Sequence, residues 1–148
     1  MVDRTRNREA LEVDLGRHRA VPTVAPHSGW IRAVREALGM STRELAERIG
    51  VTKARISQIE RGERERTVTL ATLDRVAEGL GCRVEYVLVP ELPLTDMVRA
   101  QARRRAETFV AVVDHTMALE GQEPSPDWLD RRVNEETERL IDSRGLWS

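Results

Sequence analysis

One cysteine, Cys82, stands in the 148 residues. A lone thiol excludes an internal disulfide and a cysteine-built zinc site, and a reducing compartment is the simplest setting for it. Aromatic residues are scarce, at 3% of a chain that is 40% apolar. The core must therefore be built from Leu, Val, Ile and Ala, which suits helices. Only 6 prolines and 9 glycines occur, and they fall at apparent element boundaries. No apolar run approaches the roughly 18 residues of a membrane span, so no membrane partner is expected. The first residues carry Arg4, Arg6 and Arg8 and lack the apolar stretch of a secretory signal, which places the chain in the cytoplasm. His18, His27 and His115 show no metal-ligand spacing with one another or with carboxylates. No glycine loop for a phosphate is present. Ser41, Ser57 and Ser125 read as caps or helix surface and not as nucleophiles. Neither an enzyme nor a cofactor is expected.

Charge is present in quantity and unevenly placed. The net charge is −1, but residues 1–66 hold 14 Lys/Arg against 10 Asp/Glu, and residues 67–148 hold 10 against 15. A basic front and an acidic back suggest two different partners, unless both are ordinary solvated surfaces. Lys53 is the only lysine among 24 Lys and Arg residues, and no physical reason for that is evident.

The spacing of apolar residues predicts a mainly α protein. Residues 1–28 read as an N-terminal helix, about 3–19, followed by a linker with Pro22 and Pro26. Residues 29–81 read as a five-helix domain. Residues 82–90 (CRVEYVLVP) are β-branched and apolar and predict one strand ended by Pro90. Residues 91–148 read as a helical extension, with a long helix over about 95–119 and a last helix capped by Ser125 with Pro126 at its first position.

Within 29–81, Trp30, Val34 and Leu38 mark the face of a first helix ended by Gly39. Ser41 and Glu44 have the spacing of a capping box. Leu45, Ala46 and Ile49 turn inward, and Gly50 makes a sharp turn at a positive φ that glycine adopts easily. Val51 plugs the corner and Thr52 caps the next helix, whose Ile56 and Ile59 are buried. Leu70, Leu73, Val76, Ala77 and Leu80 form a closing helix. Two helices joined by so short a turn cross steeply, and the second projects where it can enter a DNA major groove. Its outer face is Lys53, Ala54, Arg55, Ser57 and Gln58. Lys53 and Arg55 suit guanine O6 and N7, and Gln58 suits adenine N6 and N7. Thr42 and Arg61 are placed for backbone phosphates, as are Arg64 and Arg66, although Glu63 and Glu65 lie between those arginines, and Thr52 belongs to the same DNA-binding set. A double-stranded operator is the expected partner, with the protein nucleoid-associated.

The stretches ELAERIGVTKARISQIERG and TLATLDRVAEGLG resemble the Cro/C1-type (XRE) helix-turn-helix family over about residues 29–81. The resemblance implies base contacts from the second helix of the motif and dimers that read paired half-sites. A single strand over 82–89 is not stable alone. It needs its copy in a second subunit, the N-terminal segment or a partner. Pairing about a two-fold axis makes a homodimer the expectation. Cys82 is expected to be a small core residue.

Residues 116–121 read TMALEG. Thr116 and Glu120 are i, i+4 neighbours, and Gly121 ends the helix. This resembles the Ser/Thr-x-x-x-Glu-Gly/Asn inhibitory motif of the Fic family. More widely, HSGWIRAVREALGMSTRELAERIGVTKARISQIERGE, LGCRVEYVLVP and DHTMALEGQ are similar to the group called "mobile mystery protein A", typically encoded beside a Fic-domain protein. Thr116 stands where serine is commoner. The chain lacks the Fic catalytic signature, HPFxxGNGR-like, so the resemblance implies an antitoxin for a Fic-type AMP transferase. Thr116 would orient the site. Glu120 would occupy the arginine that otherwise holds the ATP γ-phosphate, and Gly121 would allow close approach. Met117, Leu119 and Phe109 would bury against their own domain or the partner. The alternative is a stand-alone repressor whose C-terminal helices bind an effector or dimerise.

Overall fold

The computed structural model describes residues 3–121 and 124–148. These form seven α-helices: α1 (Arg4–Ala20), α2 (Trp30–Ala37), α3 (Thr42–Ile49), α4 (Lys53–Glu65), α5 (Leu70–Gly79), α6 (Leu94–Leu119) and α7 (Pro126–Leu140). The chain divides into two compact units, one of Pro22–Val87 and one of Met1–Val21 with Leu88–Ser148. No described helix is long and apolar enough to cross a membrane.

The first unit holds α2 to α5. Four helices thus occupy a span where five were expected: α5 ends at Gly79 with Leu80 as its C-cap, Gly81 follows at φ +72°, and the β-branched residues beyond it do not continue as helix. Local chemistry sets the starts. Ser41 Oγ accepts from the Glu44 N–H at 3.2 Å, and the Ser41 N–H donates to the Glu44 carboxylate at 2.7 Å, a complete capping box. Hydrogen bonding with the Ser41 side chain, then with its backbone, holds the Glu44 carboxyl below its usual range. Thr52 Oγ1 accepts from the Arg55 N–H at 3.1 Å to start α4. Gly50 turns the chain between α3 and α4 at φ +69°.

Leu45, Ile56 and Val76 are fully buried, with Ile31, Ala46, Ile59 and Leu80 around them. Burial of each large aliphatic side chain contributes about 1.5–3 kcal/mol. The face of α2 differs from the expectation. Trp30 and Leu38 are 47% and 56% exposed, and the buried residues are Ile31 and Arg35, with Val34 at the edge. The physical reason is an ion pair. Arg35 Nε donates to the Glu60 carboxylate at 2.8 Å and Arg35 Nη1 to the Met40 carbonyl at 3.0 Å, both inside the unit. Leu38 is only the C-cap of α2. Leu70, at the first turn of α5, is likewise exposed.

Helices α3 and α5 approach closely. A Cβ on Gly79 would run into Cγ2 of Ile49 and come within 3.3 Å of Leu45 Cδ1. Arg48 Nε donates to the Gly79 carbonyl and Arg75 Nη2 to the Ile49 carbonyl, each at 2.8 Å. Each arginine satisfies carbonyls that the other helix's end leaves without an intrahelical partner.

The second unit packs α6 on α7 through Ala106, Val110 and Val133, with Leu129 and Leu140 against them. Ser125 Oγ accepts from the Trp128 N–H at 3.3 Å, and Pro126 occupies the first turn, as expected for α7. Helix α1 buries no residue and is held by polar contacts. Arg4 donates to the carbonyls of Asp142 and Ser143 at 2.9 and 3.2 Å, and Arg8 pairs with the Asp142 carboxylate at 3.0 Å. Glu12 accepts from the Leu94 N–H at 2.9 Å and pairs with Arg19. Arg19, then the Leu94 N–H, holds the Glu12 carboxyl below its usual range.

The strand expected over residues 82–90 is absent among the described residues. A ladder needs a second strand, and residues 83–92 make no backbone hydrogen bond to any described residue. Tyr86 and Leu88 are 74% and 83% exposed. Cys82 is exposed and not a core residue, because it lies past the C-cap of α5.

Candidate nucleic-acid interface

Helix α4 separates its residues by face. Ile56, Ile59 and Glu60 are buried, while Lys53, Ala54, Arg55, Ser57, Gln58 and Arg61 are exposed. The six candidate base and phosphate contacts on this helix therefore lie together on its solvent side. Arg55 Nη1 lies 3.4 Å from Gln58 Oε1, so the two side chains are neighbours on this face. Ser57 Oγ donates weakly to the Lys53 carbonyl at 3.4 Å. The Thr52 hydroxyl accepts the N-cap bond, which leaves its proton for a phosphate oxygen. Thr42 is half-buried at the first position of α3, so its backbone N–H is its better donor.

Two of the three acidic residues of α4 are spent inside the domain, and the third, Glu65, is exposed at its last position. Glu60 is taken by Arg35. Glu63 accepts from the Trp30 N–H at 2.9 Å and the Ile31 N–H at 3.0 Å and so caps α2. Gly29 makes room for that cap: its φ is +83°, and a Cβ there would stand 2.7 Å from Glu63 Oε2. Over Lys53–Arg61 the solvent face thus carries Lys53, Arg55 and Arg61 and no exposed carboxylate. Such a face attracts phosphate. Arg64 folds back onto the Glu60 carbonyl at 3.1 Å, and Arg66 adopts a left-handed conformation as the C-cap.

Sequence reasoning missed Arg35, Glu60 and Glu63 as structural residues. One signal was present: Arg35 is four residues after Ile31, on the inner face of α2. Glu63 carried no local signal, because the N–H groups it caps lie more than thirty residues earlier in the chain.

In the second unit, Thr116, Glu120 and Gly121 are all exposed. Thr116 Oγ1 donates to the Val112 carbonyl at 3.0 Å. Glu120 is the C-cap of α6, and Gly121 leaves the helix at φ +75°. A Cβ on Gly121 would meet nothing within 4 Å, so the glycine answers to backbone conformation and not to crowding within this chain. Phe109, Val112 and Leu119 are exposed on the same helix, and Met117 is half-buried. His115 is exposed. Among the described residues, no group of three His, Cys, Asp or Glu side chains is placed to hold a metal ion.

Residues 31–87 match the family model described as Helix-turn-helix, so α2 to α5 form a helix-turn-helix domain. A stretch of 61 residues, 41% of this chain, is 49% identical to a Sinorhizobium fredii protein named "Uncharacterized HTH-type transcriptional regulator y4dL". That stretch spans 29% of the length of the relative. No solved structure matches the chain.

Proposed function

We propose, from the helix-turn-helix domain of residues 31–87, that the chain is an XRE-type transcriptional regulator that binds operator DNA through α4. The observation that carries this reading is the solvent face of α4 over Lys53–Arg61, three cations with no exposed carboxylate beside Ser57 and Gln58. The name of the Sinorhizobium fredii relative agrees with it. Arg55 and Lys53 read guanine edges and Gln58 reads adenine, while Thr42, Thr52 and Arg61 hold phosphates. Two copies read two half-sites. The test is a footprint and titration on the promoter fragment of the chain's own gene. Arg55→Ala is expected to weaken binding by about 1–3 kcal/mol and to relax specificity at one base position. Unchanged affinity and an unchanged footprint would show that α4 presents another face to DNA.

The finer reading is that the chain is also the antitoxin of a Fic-domain AMP transferase, repressing its own operon. It rests on the resemblance at TMALEG, and the exposed carboxylate of Glu120 at the end of α6, released by the left-handed Gly121, is consistent with it. An in vitro AMP-transfer assay on the neighbouring Fic-domain protein separates the alternatives. Wild type is expected to suppress transfer, and Glu120→Gly to bind without suppressing. Equal behaviour of the two, or no binding, leaves a stand-alone repressor whose C-terminal helices bind an effector or dimerise.

A further inference from the structure

Helices α4 and α5 each pack on α3 and little on each other. The space left between them is a cavity of about 260 Å³, just below the roughly 300–1,000 Å³ of typical small-molecule clefts. Its floor is aliphatic. Ile49, Val51, Ile59 and Val76 line it, and Ile59 and Val76 belong to the core. Its rim is cationic. Arg55 and Arg75 line the same cavity, both are exposed to solvent, and no carboxylate lines it.

Neither guanidinium is neutralised by the contacts it makes. Arg55 reaches the neutral amide oxygen of Gln58, and Arg75 Nη2 donates to the Ile49 carbonyl at 2.8 Å. That bond anchors Arg75 at the edge of the cavity, while its Nε and Nη1 make no hydrogen bond to a described residue. Operator recognition through the outer face of α4 uses Arg55. It leaves Arg75 and the aliphatic floor without a task.

We propose that this cavity binds a small organic carboxylate and that the bound acid withdraws Arg55 from DNA. The apolar body lies on the aliphatic floor, where it leaves water, and the carboxylate is held by Arg55 and Arg75. The site of competition rests on the operator reading given above, and the ligand class goes beyond it. Two features select that class. A guanidinium fork matches the two oxygens of a carboxylate, so a neutral apolar molecule leaves both cations unanswered. A simple inorganic anion answers the cations and leaves the floor uncovered. The volume restricts the body to a single ring or a short acyl chain. Donors of Arg55 that hold the acid are not available to guanine O6 and N7, so acid and operator compete, and each weakens the other by the same factor.

The test titrates the full chain, without DNA, with phenylacetate and follows backbone amide shifts by nuclear magnetic resonance. Phenethyl alcohol supplies the body without the charge, and acetate the charge without the body. The expected result is saturable binding of phenylacetate with shifts centred on α4 and α5, and binding of either control roughly tenfold weaker or less. Arg75→Gln is expected to weaken phenylacetate roughly tenfold. Because Arg75 also holds the Ile49 carbonyl, a second variant keeps both arginines: Ala71→Leu narrows the cavity from an exposed position on α5 with a good helix former and is expected to abolish binding with full helical circular dichroism. Phenylacetate at ten times its dissociation constant is then expected to weaken operator binding about tenfold. Absence of saturable binding would overturn the proposal, as would equal binding of either control or binding retained in both variants. Operator affinity unchanged by saturating phenylacetate would overturn the competition at Arg55. A chain that takes phenylacetate and ignores the operator fragment in every condition would overturn operator recognition and the competition with it, and would leave the ligand site standing.

Discussion

Arg35→Ala is expected to destabilise the helix-turn-helix domain by about 3–5 kcal/mol, the cost of leaving one partner of a buried ion pair uncompensated. Arg35 and Glu60 are both largely buried, and the guanidinium also holds the Met40 carbonyl at the exit of α2. Deleting it strands a buried carboxylate and leaves a part-buried carbonyl without its partner. Since small domains are stable by only about 5–15 kcal/mol, a loss of that size leaves a substantial unfolded fraction. Urea denaturation followed by circular dichroism reads the shift. The double variant Arg35→Met/Glu60→Leu removes both charges and is expected to recover most of the loss, because well-packed apolar replacements of buried pairs are often neutral. A single variant as stable as wild type would mean that α2 is held by Ile31 and its neighbours alone.

Ile56→Ala is expected to cost about 2–5 kcal/mol, from lost burial and the cavity it leaves. Ile56 is fully buried on α4, one residue from Arg55 on the exposed face. The neighbouring substitutions should therefore separate two properties. Ile56→Ala lowers the denaturation midpoint and leaves the DNA affinity of the folded fraction nearly unchanged. Arg55→Ala does the reverse. Parallel denaturation curves and titrations below the transition check this. If Ile56→Ala lowers affinity tenfold where circular dichroism shows full helix, α4 tilts when its anchor is cut, and the two properties are not separable.

The parts of the fold legible in the sequence are those decided within a few residues. The Ser41–Glu44 capping box, the Thr52 and Ser125 caps and the turn at Gly50 are local agreements of side chain and backbone, and each stands where its spacing predicts. The inward residues of α3 and α4 were legible for the same reason: Leu45, Ala46, Ile56 and Ile59 recur at helical spacing between charged neighbours. Helix α2 was harder. In eight residues, Trp30, Ile31 and Val34 cover a broad arc with Leu38 just beyond, and which part turns inward depends on Glu60, twenty-five residues away. Apolar periodicity is silent about that choice, since its deciding member is a charge. The placement of α1 was illegible in the same way, because its contacts with Asp142, Ser143 and Leu94 are polar and lie far along the chain. The strand over 82–90 has the right side-chain pattern, but strand structure belongs to a pair of segments, and the single chain supplies one. For the candidate interface, the exposed positions of α4 follow from the helical period. The fate of the acids did not: Glu63 reads as an obstacle to DNA in the sequence and as the cap of α2 in the fold.

The double occupation of α4 limits how its specificity can be rewritten. Its first six residues contain one core side chain, Ile56, among exposed ones, whereas Ile59, Glu60 and Glu63 bind the helix to the rest of the domain. A foreign recognition sequence transplanted over Lys53–Gln58 with Ile56 retained exchanges only the text that faces outward. A transplant of the whole helix also removes the counter-charge of Arg35 and the roof over the start of α2. Such chimaeras would fail as folds before they were ever tested as readers. On the proposed reading, drift in target preference is thereby confined to a window of five exposed residues, Lys53, Ala54, Arg55, Ser57 and Gln58, within a helix of thirteen.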